Sequence, residues 1–316
     1  MADYTKLNGF SNSQDVTVSN ILLENFISFY DWGFLDKGGF YNYQIPASGM
    51  YGGSKAKLNP LKDPNYSEGQ VWQANRQNWV WETGTSVGTP ISISGVFINN
   101  SFRATGNITN PYYINHELGQ VVFTPAIAKN SNVQVAYSSK WLNVVPAEGI
   151  PWFREIQKSS NRVENPTLTQ YGSGDWAQLG QTRVQLPTIA IEVVPPKSMA
   201  PYQLGGGQHV HNDIIFNVVT ENEWECKNLM DQISYQNDRT IYLYDPNKMA
   251  ASGVAPFDYK GELKPNATNE AMYPKLVDNY RYRDCFIFDT KNQAVTEVSP
   301  GLYIGVVRCK TEVKPI

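Results

Sequence analysis

The sequence predicts an α+β, β-rich protein: an N-terminal helix with extended arms, a small all-β sandwich or barrel-like module, and a C-terminal α+β domain of order β-β-α-β-β-β. Three observations carry this. Short runs with period-two alternation, parted by turn residues, recur between residues 91 and 139. Two segments, beginning at Val18 and near Glu223, keep helical spacing. Longer β-rich runs flank the second helix on both sides.

Residues 1–90 read as a helix followed by an aromatic arm. From Val18 to Asp31 the positions Val18, Leu22, Phe26 and Phe29 lie on one face, widened by Leu23, Ile27 and Tyr30. Gly33 and the Gly38-Gly39 pair are expected to end this helix. Tyr41 to Gly69 is rich in Gly, Pro, Asn and Tyr without periodicity, which predicts an extended arm or long loop. Val71-Trp72 and Trp79-Val80-Trp81 then predict short strands.

Residues 91–139 read as the all-β module. Ile91 to Ser94 alternates, Gly95 breaks the run, and Val96-Phe97-Ile98 leads into an Asn99-Asn100 turn, a pair that tolerates positive φ. Tyr112 to Ile114 and Gln120 to Phe123 flank a second turn at His116 to Gly119, and Val133 to Tyr137 closes the set. Residues 140–187 are expected to form a linker, since Pro146, Pro151 and Pro166 interrupt regular elements.

Residues 188–316 read as the α+β domain. Strands are expected at Thr188 to Val194 and His209 to Val219. Thr220 and Glu223 have capping-box spacing, and Cys226, Leu229, Met230 and Ile233 form the buried stripe of the helix that follows. A strand from Thr240 to Tyr244, a long loop from Asp245 to Arg283, and strands at Cys285 to Phe288 and Leu302 to Cys309 complete the reading.

Composition narrows the function. Among 316 residues only 17 % are charged while 13 % are aromatic, with 19 Tyr and 8 Trp. Such a chain folds rather than staying disordered, and its polar–aromatic surface suits protein contact. A net charge of −3 without a dense basic cluster argues against specific nucleic-acid binding. No run approaches the ~18 apolar residues of a membrane span, and Met1-Ala2-Asp3-Tyr4 does not begin a secretory signal, so expression in a cytoplasm is expected. Cys226, Cys285 and Cys309, odd in number and far apart, read as small buried hydrophobes.

Chemistry-bearing motifs are sparse. His209 and His211 share one face of a strand, with Asp213 as a conceivable third metal ligand; a zinc site needs three or four ligands, so the pair reads as a polar outward face. Gly172 to Ala177 fits G-x-G-x-x-A without the flanking strand and helix that pattern requires. Neither an enzyme nor a cofactor is expected. The tryptophans Trp72, Trp79 and Trp81 suit the core or a subunit contact, and a sugar-stacking platform is the other reading.

Two stretches resemble known proteins. Phe97 to Asn100, Tyr112 to Asn115, Gly119 to Pro125 and Val133 to Ser138, continued by Lys140-Trp141, resemble a β-module common in virion proteins of tailed bacteriophages. Leu186 to Glu192 leading to His209–Tyr244 is similar to tail-terminator and neck proteins of such phages. The resemblance implies a structural subunit of the virion, in the neck or tail-completion ring. It would be a homo-oligomeric ring (hexamer or dodecamer) contacting other neck and tail proteins. It further implies Trp72, Trp79, Trp81, Trp152, Phe153 and Tyr273 as contact residues. A carbohydrate-binding or host-recognition module, or a baseplate component, is the alternative.

Overall fold

The computed structural model describes residues 17–45, 56–81, 84–106, 111–147, 156–157, 184–195, 198–203, 206–243 and 282–315. Two sheets dominate it, and the chain is β-rich with α+β character in its C-terminal part, as its sequence predicts.

The first sheet has seven strands: β2 (Lys57–Pro60), β3 (Val71–Gln73), β4 (Gly95–Ile98), β5 (Ser101–Ala104), β6 (Tyr112–Asn115), β7 (Gln120–Phe123) and β8 (Val133–Gln134). Their order is β5-β4-β8-β2-β3-β7-β6, every pairing antiparallel. The β4–β5 hairpin turns at Asn99 and Asn100, with φ of 49° and 65°, the pair of left-handed residues a two-residue hairpin demands. Leu58, Trp72, Trp79, Val96, Val121, Phe123, Val133 and Tyr137 form its core.

Part of the segment read as an arm, residues 57–60, belongs to this sheet. β2 sits at the centre of the sheet, between β8 and β3. Upstream, β1 (Phe40–Tyr43) pairs with β9 (Tyr137–Lys140). The partners are sequence-distant, so local periodicity carries no trace of them. Ile91 to Ser94, expected as a strand, precedes β4 as irregular chain.

The second sheet has eight strands. The path runs β10 (Asn143–Pro146), β13 (Thr188–Val193), β15 (Gly206–Thr220), β19 (Leu302–Pro315), β17 (Tyr282–Asn292) and β16 (Arg239–Tyr242). Beside it, β14 (Ser198–Gln203) pairs with β15, and β18 (Thr296–Ser299) with β19. β10 joins β13 in parallel, which corrects the linker reading of its residues. A separate two-residue parallel pair joins β11 (Ile156–Gln157) and β12 (Val184–Gln185).

Helices α1 (Val18–Asp36) and α2 (Glu223–Ser234) cover one face of this sheet. Val210, Ile214, Phe216 and Val218 of β15 point to them, while His209, His211, Asp213 and Ile215 alternate to the other face and remain part-exposed. Leu22 and Phe26 of α1 and Cys226, Leu229, Met230 and Ile233 of α2 meet that apolar row. Each such side chain contributes about 1.5–3 kcal/mol by leaving water.

Both helix boundaries differ from expectation. α1 runs through Gly33 and ends in a Schellman motif: Gly39 N–H donates to Phe34 O at 2.9 Å and Gly38 N–H to Leu35 O at 3.0 Å, with Gly38 at φ 84°. One glycine inside a helix costs only about 1 kcal/mol, too little to stop it here. At α2 the N-cap is Asn222, whose side chain accepts from Glu225 N–H at 2.7 Å. The capping pair is therefore Asn222 and Glu225 rather than Thr220 and Glu223, and the Thr220 hydroxyl donates to Asn222 O instead.

The sheets are joined by a buried polar seam. Asn143 Nδ2 donates to Gln185 O at 2.5 Å, and Gln185 Nε2 donates to Asn75 O at 3.0 Å. Arg76, 4 % exposed, donates to Gln185 Oε1 at 3.3 Å. Such a seam specifies one orientation, because any other would strand buried polar groups.

Candidate interaction surface

The six sequence-predicted contact residues divide three ways. Trp72 and Trp79 are 1 % and 0 % exposed, so they belong to the core and present nothing to a partner. Each indole N–H is satisfied within three residues, Trp72 by Gly69 O and Trp79 by Arg76 O, both at 2.9 Å. A tryptophan so satisfied can be buried whole, and Trp79 stacks on Tyr137 at 4.5 Å. Trp81 is 60 % exposed. Trp152, Phe153 and Tyr273 lie outside the described residues, as does the Gly172 to Ala177 motif.

Trp81 stands beside the turn between β6 and β7 and beside β9. His116 meets its ring edge-on at 6.1 Å, and Lys140 Nζ lies 6.0 Å from the ring centroid. Lys140 also pairs with Asp31 of α1 at 2.5 Å, both side chains being largely buried. Partial burial holds the His116 imidazole below its usual pKa, so the ring favours its neutral form.

The C-terminal half of α1 and the end of α2 enclose a groove of about 520 Å³. Phe29, Tyr30, Trp32 and Phe34 supply aromatic walls, and Tyr235 and Arg239 close the α2 side. The Arg239 guanidinium lies over the Phe29 ring at 5.1 Å. Tyr30 is buried, which pushes its phenol well above the ordinary value and keeps it neutral.

Tyr235, just past the end of α2, and Trp224 in its first turn are 80 % and 75 % exposed. They are eleven positions apart, about three helical turns or ~16 Å, and so share the outward side of α2, opposite its buried stripe. The helical periodicity that marks Cys226 and Ile233 as buried also places Trp224 and Tyr235 outside, which was the available signal for them.

Among the described residues the three thiols are buried and unpaired, and burial raises the pKa of each, Cys226 to about 11 and Cys309 to about 12. They are thus held as inert thiols. His209 and His211 sit side by side on one strand face, as the alternation predicts, with no three His, Cys, Asp or Glu side chains grouped as a metal cage among the described residues. Among those residues no helix is long and apolar enough to cross a membrane. No protein-family model matches the chain, and neither the curated proteins nor the solved structures yield a match.

Proposed function

We propose that this chain is a structural subunit of a tailed-phage virion, placed in the neck or tail-completion ring that connects head and tail. The observation that carries the contact role is the aromatic groove between α1 and α2, lined on the α2 side by the exposed Tyr235, with Trp224 exposed further along the same side of α2. Large solvent-facing aromatic residues beside a cationic rim are the composition of a buried contact centre. Assignment to the neck rests on the resemblance of the 97–138 and 186–244 stretches to phage virion proteins. Identical copies arranged head to tail close into a ring, each giving one surface and receiving another.

Negative-stain imaging of the purified protein at high concentration, together with mass spectrometry of phage particles that encode it, tests this reading. Closed rings and presence in the particle are expected. A particle lacking the chain contradicts it.

Trp81 supports a second reading, recognition of carbohydrate, because a flat exposed indole flanked by His116 and Lys140 suits stacking on a sugar face. Glycan binding lost in Trp81→Ala would favour that reading. The buried Trp79 has no part in it.

A further inference from the structure

The outer face of the second sheet carries a histidine pair with a built environment. His209 and His211 on β15 stack with ring centroids 6.2 Å apart and planes 12° from parallel. Glu312 on β19 is the direct cross-strand partner of His211, and its Oε1 lies 2.7 Å from His209 Nδ1. The His209 and Glu312 side chains are 22 % and 23 % exposed, so the contact is part-shielded yet open to small solutes. Asp213 continues the row on the same strand, opposite Lys310.

We propose that His209 and His211 chelate a divalent transition-metal ion of the zinc class, with Glu312 as the residue that positions His209. A carboxylate at Nδ1 favours the tautomer with its proton on that nitrogen, which directs the ligating lone pair to Nε2. Imidazole nitrogens bind zinc at about 2.0–2.1 Å, so the centroids of two ligating rings lie about 5–6 Å apart. The near-parallel rings must turn so that both in-plane Nε2 lone pairs converge on one ion, and their part-exposed position leaves room for that turn. The ion displaces whatever hydrogen bonds the two Nε2 atoms make in the metal-free chain. Water completes the coordination, so the affinity is that of a two-nitrogen chelate, weaker than a structural zinc site.

The proposal stands apart from the assembly reading. Titration of the full chain with zinc chloride by calorimetry tests it, with cobalt(II) absorption as a second readout of the ligand field. One saturable site per chain is expected, lost in His209→Ala and in His211→Ala and retained in His116→Ala. Glu312→Gln is expected to weaken binding 10- to 100-fold and to shift the cobalt bands, with thermal stability unchanged. Absence of saturable binding, or binding undiminished in the double histidine variant, overturns the site. Affinity and spectrum unchanged in Glu312→Gln overturn the positioning role.

Discussion

Asn78 and Asn143 meet across the junction of the two sheets, the Nδ2 of Asn78 donating to the Oδ1 of Asn143 at 2.5 Å. Asn143, in β10, is 5 % exposed and also donates to Gln185 O, so its side chain bonds both the segment that follows β3 and the β12 segment that leads into β13. The two halves of the chain are thus fastened by buried and part-buried polar groups.

Removing that fastening leaves buried groups unpaired, at about 1–3 kcal/mol for each. Asn143→Ala is therefore expected to lower the urea midpoint by an amount matching about 2–4 kcal/mol. A midpoint equal to that of the parent protein would show that the seam carries no stability.

Trp79 and Trp81, two positions apart, are expected to respond in opposite ways. Trp79→Ala empties a core site stacked on Tyr137 and should cost about 3–5 kcal/mol. Trp81→Ala removes a mostly exposed ring and should change stability by less than about 1 kcal/mol. Chemical denaturation of the two variants side by side measures the contrast, and equal losses would refute the placement of both rings.

Gly69 holds φ at 86°, and a Cβ there would lie 2.2 Å from Ile127 O. Its own carbonyl accepts from Trp72 Nε1 and from Ile127 N–H at 2.9 and 3.1 Å. Backbone, not a yielding side chain, blocks the space, so Gly69→Ala is expected to cost more than the ~1 kcal/mol of an unfavourable φ alone. A thermal melt within 1 °C of the parent would contradict this.

Much of this architecture was legible in the residues, and the reason is locality. Asn99-Asn100 announced a left-handed turn, and Cys226 to Ile233 announced a buried helical stripe, because both patterns are complete within a dozen positions. β2, β10 and the seam were missed because they depend on distant partners: Val144 pairs with Ile189, and Asn59 with Gln73 while Lys57 pairs with Gln134. Trp72 and Trp79 were misplaced at an interface for a related reason. Tryptophan is equally at home in a core and at an interface, and only the three-dimensional position of Trp72, Trp79 and Trp81 separates the two. Trp224 and Tyr235 were readable as the outward counterpart of the buried stripe.

The thiols give a direct check of the core of the second sheet. Cys226, Cys285 and Cys309 are buried with pKa values raised by desolvation, so none should react with a thiol reagent at pH 8 in the native protein. All three should react once the chain is unfolded in guanidinium. Rapid labelling of even one in the folded state would contradict the packing of α2 on β15 and β19.

The central claim is that the aromatic flank of α2 is covered by a neighbouring copy. Sedimentation velocity of the parent protein and of a Trp224→Ser/Tyr235→Ser double variant, at matched concentrations, tests it most directly. The account predicts a discrete ring-sized species for the parent and a folded monomer for the variant, with the same circular dichroism for both. A parent protein that sediments as a monomer at every concentration, or a variant that assembles as the parent does, would contradict it.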